Sequence, residues 1–143
     1  MSRAWRLLPL GALTVALFWA ASAGATTFLP PSIAFQVAAS RVSPSEVVVY
    51  FRPAPGYVIY KRRVSVRSVT PGIEIRVSLP RGVWHSLPAV APQEVYLTST
   101  PVTATVLGAR SRPFTLEVRL QGCALAGLCY PPETRLLVVP AAS

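Results

Sequence analysis

The chain has 143 residues and is strongly basic, with 14 lysines and arginines against 5 acidic residues. A basic excess can attract nucleic acid, but no base-stacking or phosphate-binding motif accompanies it here. The charge therefore predicts a solvated basic surface, or attraction to acidic proteins or anionic membranes. A single histidine excludes a multi-histidine metal site.

The first 25 residues have the layout of a secretory signal peptide. A basic start, MSRAWR, precedes the apolar run LLPLGALTVALFWAA and the small-residue stretch ASAGA. The alternative is an uncleaved membrane anchor, but the run is shorter than the roughly 20 residues that a spanning helix needs, and Pro9 interrupts it. We expect cleavage after Ala25, with Ala23 as the second choice. Residues 26–143 should then form one exported domain without stable membrane insertion.

The predicted elements of that domain are strands. Fifteen scattered prolines argue against long helices. Short runs rich in Val, Ile, Thr and aromatic residues alternate with turn signals such as PAPG and TPG. They predict an all-β, immunoglobulin-like antiparallel β-sandwich. The predicted strands are 33–39, 45–52, 57–66, 73–79, 101–107, 113–120 and 134–140.

Two of these strands alternate with period two, which is typical of strands with one buried face. In 63–67 the two valines share one face, opposite two arginines and a serine. In 114–120 the apolar residues alternate with Thr, Glu and Arg.

The stretch SLPAVAPQE, residues 86–94, is the least strand-like part of the interior. Pro88 and Pro92 favour an extended or turning loop. A loop of this length in a compact domain is typically functional or loosely ordered.

Both cysteines, Cys123 and Cys129, lie in the stretch QGCALAGLCYPPET, residues 121–134. The flanking predicted strands could pair as a hairpin and bring the ends of this loop together, so a disulfide is geometrically possible. A disulfide that closes a loop of about seven residues would add only roughly 2–2.5 kcal/mol to the free energy of unfolding. From the residues alone, both a structural clasp and a reactive pair remain open.

The residues around the cysteines suit an accessible thiol pair. Gly122 and Gly127 leave little bulk over the sulfurs. Pro131 and Pro132 fix the backbone after Cys129, and Tyr130 offers an amphipathic surface to a partner.

Metal or hydrolytic chemistry has weaker support. His85 with the two cysteines could form a three-ligand site, but the spacing fits no zinc pattern. A Cys-His nucleophile pair is conceivable, yet His85 beside Trp84 at a strand end favours a structural role. We expect neither a metal nor a cofactor.

The cysteine stretch closely resembles the active loop of the N-terminal periplasmic domain of the DsbD thiol:disulfide interchange proteins, which carries Q-G-C-x5-C-Y-P-P-E-T. Other similar pieces follow in the family's order: FLPPSIAF (28–35), GYVIYKRR (56–63), LPRGVWH (79–85) and the final PPETRLLVV. The resemblance runs from about Phe28 to Val139.

The resemblance implies a periplasmic immunoglobulin-like domain that passes reducing equivalents through its cysteine pair. Cys129 would form the mixed disulfide with thioredoxin-like disulfide proteins, and Cys123 would complete the exchange. Tyr57 and Tyr60 match family tyrosines beside the loop and are expected to line it, with core packing as the alternative. The family's membrane and thioredoxin-like domains do not follow here, so a separate membrane protein would be the electron donor.

One segment departs from the family pattern. After the Trp-His pair the family has an acidic stretch and an aromatic residue that shields the cysteines. In this chain the segment has no acid before Glu94 and no aromatic before Tyr96. Leu87 or Val90 is expected to cover the sulfurs instead.

Two other functions remain open from the sequence. The chain could be a binding or accessory module with a fixed structural disulfide. It could also be a variant in which the thiols capture copper.

Overall fold

The computed structural model describes residues 24–87, 90–108 and 111–142. The predicted signal peptide therefore lies almost wholly outside the described residues. No helix in the described ranges has the length and apolar character needed to cross a bilayer.

The described chain is mainly β-strand, in agreement with the prediction. One short helix, α1 (Pro31–Ala34), and one 3-10 turn (Lys61–Arg63) accompany the strands. The strands are β1 (Phe35–Ser43), β2 (Glu46–Pro53), β3 (Tyr57–Tyr60), β4 (Ser65–Ser68), β5 (Ile73–Ser78), β6 (Val83–Leu87), β7 (Val90–Tyr96), β8 (Thr100–Gly108), β9 (Phe114–Leu120), β10 (Gly122–Ala124) and β11 (Glu133–Val139).

The strands form three antiparallel sheets. The first has the order β1-β2-β8-β5, the second β10-β3-β7-β6, and the third β11-β9-β4. All three contribute to one buried core: Val49 and Val102 come from the first sheet, Ile59 from the second and Leu116 from the third. This arrangement confirms the immunoglobulin-like sandwich.

The period-two alternation predicted the buried faces correctly. On β9, Phe114, Leu116, Val118 and Leu120 are buried, while the residues between them are partly or fully exposed. Val64 and Val66 are also buried. Each predicted strand has a counterpart, although 57–66 divides into β3, the 3-10 turn and the start of β4.

The expectation of a loop over residues 86–94 was wrong. The described residues of this segment, 86–87 and 90–94, belong to β6 and β7, which pair with Val83 opposite Val95 and His85 opposite Gln93. Pro88 lies outside the described residues. The register shifts between His85 and Leu87, so Pro92 falls within a bulge. A proline is tolerated in a strand at such an irregularity, because the missing N–H interrupts no regular ladder bond.

Strand β10 was also missed, and its position depends on a glycine. Gly122 pairs with Ile59 of β3. A Cβ atom at this position would lie 2.3 Å from the Val58 carbonyl oxygen and 2.4 Å from a ring carbon of Phe35. Only a residue without a side chain therefore lets β10 approach β3 this closely.

We expect Gly122→Ala to destabilise the domain by about 1–3 kcal/mol, because the added methyl group displaces packed backbone and a core ring. Urea unfolding of the oxidised protein measures the change. Ala126→Ser, at an exposed position of the same loop, is the control and should stay within about 0.5 kcal/mol of the wild type. Equal stability of the wild type and the Gly122→Ala variant would show that β10 can move away from β3.

Candidate functional site

The site is the connection between β9 and β11, residues 121–132. These two strands pair along their whole length, with Leu120 opposite Glu133, as the predicted hairpin required. Between them the chain leaves the third sheet and adds β10 to the edge of the second, where Cys123 lies opposite Val58. The loop is therefore held by two sheets.

Cys123 and Cys129 form a disulfide, with their Cα atoms 4.0 Å apart. The short loop between them closes on itself: the Ala124 N–H donates to the Leu128 carbonyl at 2.7 Å, and the Gly127 N–H donates to the Ala124 carbonyl at 3.0 Å. Gly127 has a φ of 115°, in the region that favours glycine. The backbone thus holds the two cysteines side by side.

The two cysteines differ in their exposure. Cys123 is 1% exposed, whereas Cys129 is exposed to solvent. A thiolate from another protein must reach a sulfur atom to attack it. Only Cys129 offers such access in this arrangement.

The Tyr60 hydroxyl lies beside the sulfurs. Its hydroxyl oxygen lies 2.9 Å from Cys123 Sγ and 3.8 Å from Cys129 Sγ. Disulfide sulfurs carry no proton, so the Tyr60 O–H is the donor. Burial raises the pKa of Tyr60, which keeps this proton in place at neutral pH.

The other predicted tyrosines lie on the core side of the loop. Tyr57 and Tyr130 are both buried and pack edge-on against Phe35, with ring centroids 5.9 and 5.2 Å away. The Tyr57 hydroxyl oxygen accepts a hydrogen bond from the Leu29 N–H, and the Tyr130 O–H donates to the Leu29 carbonyl. Tyr57 thus packs in the core, and whether it also serves the site stays a prediction.

The partner-facing role expected for Tyr130 does not fit its 7% exposure. The ring turns inwards because its hydroxyl is bonded to Leu29 and its face packs in the aromatic cluster. Pro131, the next residue, is exposed. It is the predicted site residue after Cys129 that a partner can reach.

The β6–β7 hairpin packs against the buried cysteine. Leu87 is buried in one apolar cluster with Cys123, Tyr60 and Val95, and the partly buried Val90 packs against that cluster. The structure therefore brings both predicted covering residues together with Cys123. Whether they shield the sulfurs in function stays a prediction.

A polar contact that the sequence did not indicate fixes the base of this hairpin. The Glu94 carboxylate, on β7, accepts hydrogen bonds from Lys61 Nζ at 2.8 Å and from the Gly82 N–H at 2.6 Å. The bond from Lys61, followed by that from Gly82, lowers the pKa of Glu94. The sequence signal for this contact is the opposite charge of Lys61 and Glu94. That signal is useful only once β7 is known to lie beside the 3-10 turn.

His85 lies on β6, opposite Gln93, and is partly exposed. Among residues 24–87, 90–108 and 111–142, no group of three His, Cys, Asp or Glu side chains is placed to hold a metal ion.

Comparison with known proteins places this geometry in context. The family model described as "Thiol:disulfide interchange protein DsbD, N-terminal" matches residues 25–141. Thiol:disulfide interchange protein DsbD 2 of Pseudomonas aeruginosa is 34% identical over 121 residues, which cover 85% of this chain and 20% of that protein. DsbD of Salmonella typhimurium is 35% identical over 78% of this chain and 19% of its own length. The chain thus spans about a fifth of the length of these relatives.

Solved structures of DsbD N-terminal domains also resemble this chain. The reduced N-terminal domain of DsbD from Neisseria meningitidis superimposes with a TM-score of 0.68 and 28% identity, covering 80% of this chain and 91% of that one. A second structure, a complex between the DsbD N-terminal and PilB N-terminal domains of Neisseria meningitidis, gives a TM-score of 0.65 and 29% identity. That match covers 80% of this chain and 88% of the solved chain.

We expect Tyr60→Phe to slow the reduction of the Cys123–Cys129 disulfide by dithiothreitol about three- to tenfold. The departing Cys123 thiolate loses one donor, and a net hydrogen bond contributes roughly 0.5–1.5 kcal/mol. Stopped-flow measurement at neutral pH gives the rate. Tyr57→Phe is the matched control and should keep the wild-type rate, because its hydroxyl bonds to Leu29. Equal reduction rates in the two variants would show that the Tyr60 hydroxyl does not assist the reduction of the disulfide.

We expect Glu94→Gln to lower the thermal midpoint at pH 7, with a difference from the wild type that shrinks in acid. The folded state lowers the pKa of Glu94, so its contribution is complete above the usual glutamate value of about 4.3. That contribution is lost as the pH falls through the lowered folded-state value. Thermal unfolding at a series of pH values measures the difference.

The control for this experiment is Glu74→Gln, at an exposed position on β5. It should change the midpoint little at any pH. A Glu94→Gln difference that stays constant down to strong acid would show that the carboxylate charge does not fix the hairpin.

Proposed function

The chain belongs to the DsbD N-terminal domain family, and from that premise we propose that it is a periplasmic thiol–disulfide exchange protein. It relays reducing equivalents between partner proteins through Cys123 and Cys129. The observation that carries this proposal is the unequal exposure of the two cysteines, one accessible and one buried beside a hydroxyl donor. A purely structural bridge requires neither feature.

Reduction begins at the exposed sulfur. A partner thiolate attacks Cys129 Sγ, a new sulfur–sulfur bond forms between the proteins, and the Cys123–Cys129 bond breaks. Cys123 leaves as a thiolate. The Tyr60 O–H, 2.9 Å away, donates a hydrogen bond to the developing negative charge.

The second step releases the partner. The partner's other thiolate attacks its own sulfur in the mixed disulfide, the bond to Cys129 breaks, and Cys129 leaves as a thiolate. The domain has then gained two electrons and, after protonation, two protons. The partner has become a disulfide.

Delivery of electrons runs through the same atoms in reverse. Cys129 attacks the disulfide of an acceptor, and a thiolate of the acceptor leaves. Cys123, held next to Cys129, then attacks Cys129 Sγ and expels the acceptor as a dithiol. Proximity within the closed loop makes this step intramolecular, which favours it over reaction with a second partner molecule.

The proposed partners are thioredoxin-like periplasmic disulfide proteins, with a separate membrane protein as electron donor. Support comes from the related DsbD N-terminal domain that was solved in a complex with the PilB N-terminal domain. The activity is that of a thiol:disulfide oxidoreductase.

We expect residues 26–143 carrying Cys123→Ser to form a mixed disulfide with a thioredoxin-like protein through Cys129. The serine variant lacks the second sulfur that would release the partner. Cys129→Ser should trap much less, because Cys123 is 1% exposed. Non-reducing gels and mass spectrometry measure the yields, with the double serine variant as control.

The reduction potential provides the second readout. Structural disulfides have reduction potentials below about −300 mV. If the Cys123–Cys129 disulfide cycles, its reduction potential, measured by equilibration with glutathione, should lie above that value. A bond that thioredoxin-like proteins do not reduce, with no trapped complex from either variant, would make the loop a clasp and the domain a binding module.

A further inference from the structure

Three arginines form a basic surface beside the redox loop. Arg62 and Arg63, in the 3-10 turn after β3, are exposed, and the Arg119 side chain on β9 is 62% exposed. All three line one surface depression of about 330 Å³, together with Pro132 and Thr134 of the segment that follows Cys129. We call these three residues the arginine surface.

The arginine surface also reaches the β6–β7 hairpin. Arg62 and Arg63 line a second depression, of about 170 Å³, with Gln93 of β7. The Tyr60 N–H, immediately before the turn, donates to the Gln121 carbonyl at 2.9 Å and so ties the turn to the start of the loop. The arginine surface thus lies next to both elements that flank the sulfurs.

The positive charge of this surface is only partly neutralised within the described part of the chain. Arg62 and Arg63 take part in none of its ion pairs. Glu133, which also lines the larger depression, is paired with Arg135. The Glu117 carboxylate is shared between Arg119 and a second arginine on β4.

We propose that the arginine surface docks an acidic patch on the protein that exchanges its disulfide with Cys129. This proposal rests on the proposed function, since the partner must approach Cys129. Guanidinium groups bind carboxylates through paired hydrogen bonds, and a basic surface near the reacting atom raises the rate of productive encounter.

An anionic membrane fits this surface less well than an acidic protein does. The depression includes Pro132, three residues after Cys129. A bilayer lying on the arginines would cover the exposed cysteine, whereas a protein partner brings its own cysteine to that place. The acidic protein is therefore the occupant that the geometry favours.

The test compares residues 26–143 of the wild type with the same residues carrying Arg62→Gln/Arg63→Gln. The matched control, Arg52→Gln/Arg76→Gln, removes the same charge from exposed positions on β2 and β5 of the first sheet. The probes are two short peptides with one cysteine, flanked by glutamates in one peptide and by glutamines in the other. Each rate of reaction with the oxidised protein is divided by that peptide's rate with a small neutral disulfide, which cancels differences in thiol reactivity.

We expect the wild type to prefer the acidic peptide by about three- to tenfold at low ionic strength, a modest case of electrostatic steering. The preference should fall towards one in Arg62→Gln/Arg63→Gln and in about 0.5 M salt, where charges are screened within a few ångströms. The Arg52→Gln/Arg76→Gln control should keep most of the preference for the acidic peptide. Equal losses in the two variants, or no preference in the wild type, would overturn the proposal.

A second readout separates this proposal from the proposed function. An acidic peptide with serine in place of cysteine cannot exchange, and its binding is followed by fluorescence anisotropy. If neither cysteine peptide reacts with the wild type, the exchange function fails, and the docking surface stands only if the serine peptide binds in an arginine-dependent way. Arginine-dependent binding to phosphatidylglycerol vesicles, without any peptide preference, would assign the surface to membranes and overturn the proposal.

Discussion

The site depends on the antiparallel pairing of β10 with β3. Three residues leave the β9–β11 hairpin and join another sheet, and this is possible because Gly122 has no side chain to meet Val58 and Phe35. The pairing buries Cys123 and sets it beside the Tyr60 hydroxyl. It also turns Cys129 outwards, since the loop must fold back to rejoin β11. One backbone contact thus creates the difference between the two sulfurs.

The difference between the sulfurs bears on whether the disulfide is a clasp or a reactive pair. A seven-residue bridge adds only roughly 2–2.5 kcal/mol of stability, and the loop is already held by backbone bonds on both sides. The bridge therefore adds little that the sheets do not provide. Thiol–disulfide exchange requires an exposed sulfur that a partner can attack. It is assisted by a hydrogen-bond donor beside the sulfur that leaves, which here is the buried one. The aliphatic residues Leu87 and Val90 of the β6–β7 hairpin pack in the cluster that holds Cys123 and Tyr60, while Cys129 stays exposed.

The sequence predicted most of the fold because alternation reports burial directly. Phe114 to Leu120 alternates strictly, and the structure buries the predicted face. Strand β10 could not be found in this way, since three residues show no period and their pairing with β3 is non-local. The β6–β7 hairpin was hidden by Pro92, which a bulge accommodates. The sequence could have predicted that Tyr57 and Tyr60 have different surroundings. They are three residues apart on one strand, so their side chains face opposite sides.

The contacts of Leu29 have a consequence for the order of folding. Its N–H and carbonyl are bonded to Tyr57 and to Tyr130, which is 101 positions further along the chain. Synthesis proceeds from the N-terminus, so the segment around Leu29 is made early but acquires its second partner only when nearly the whole domain exists. Contacts of such long sequence separation make folding slow. The hydrogen bond between Tyr130 and Leu29 therefore cannot form before the cysteine loop has been made, and it couples the N-terminal segment to the residue that follows Cys129.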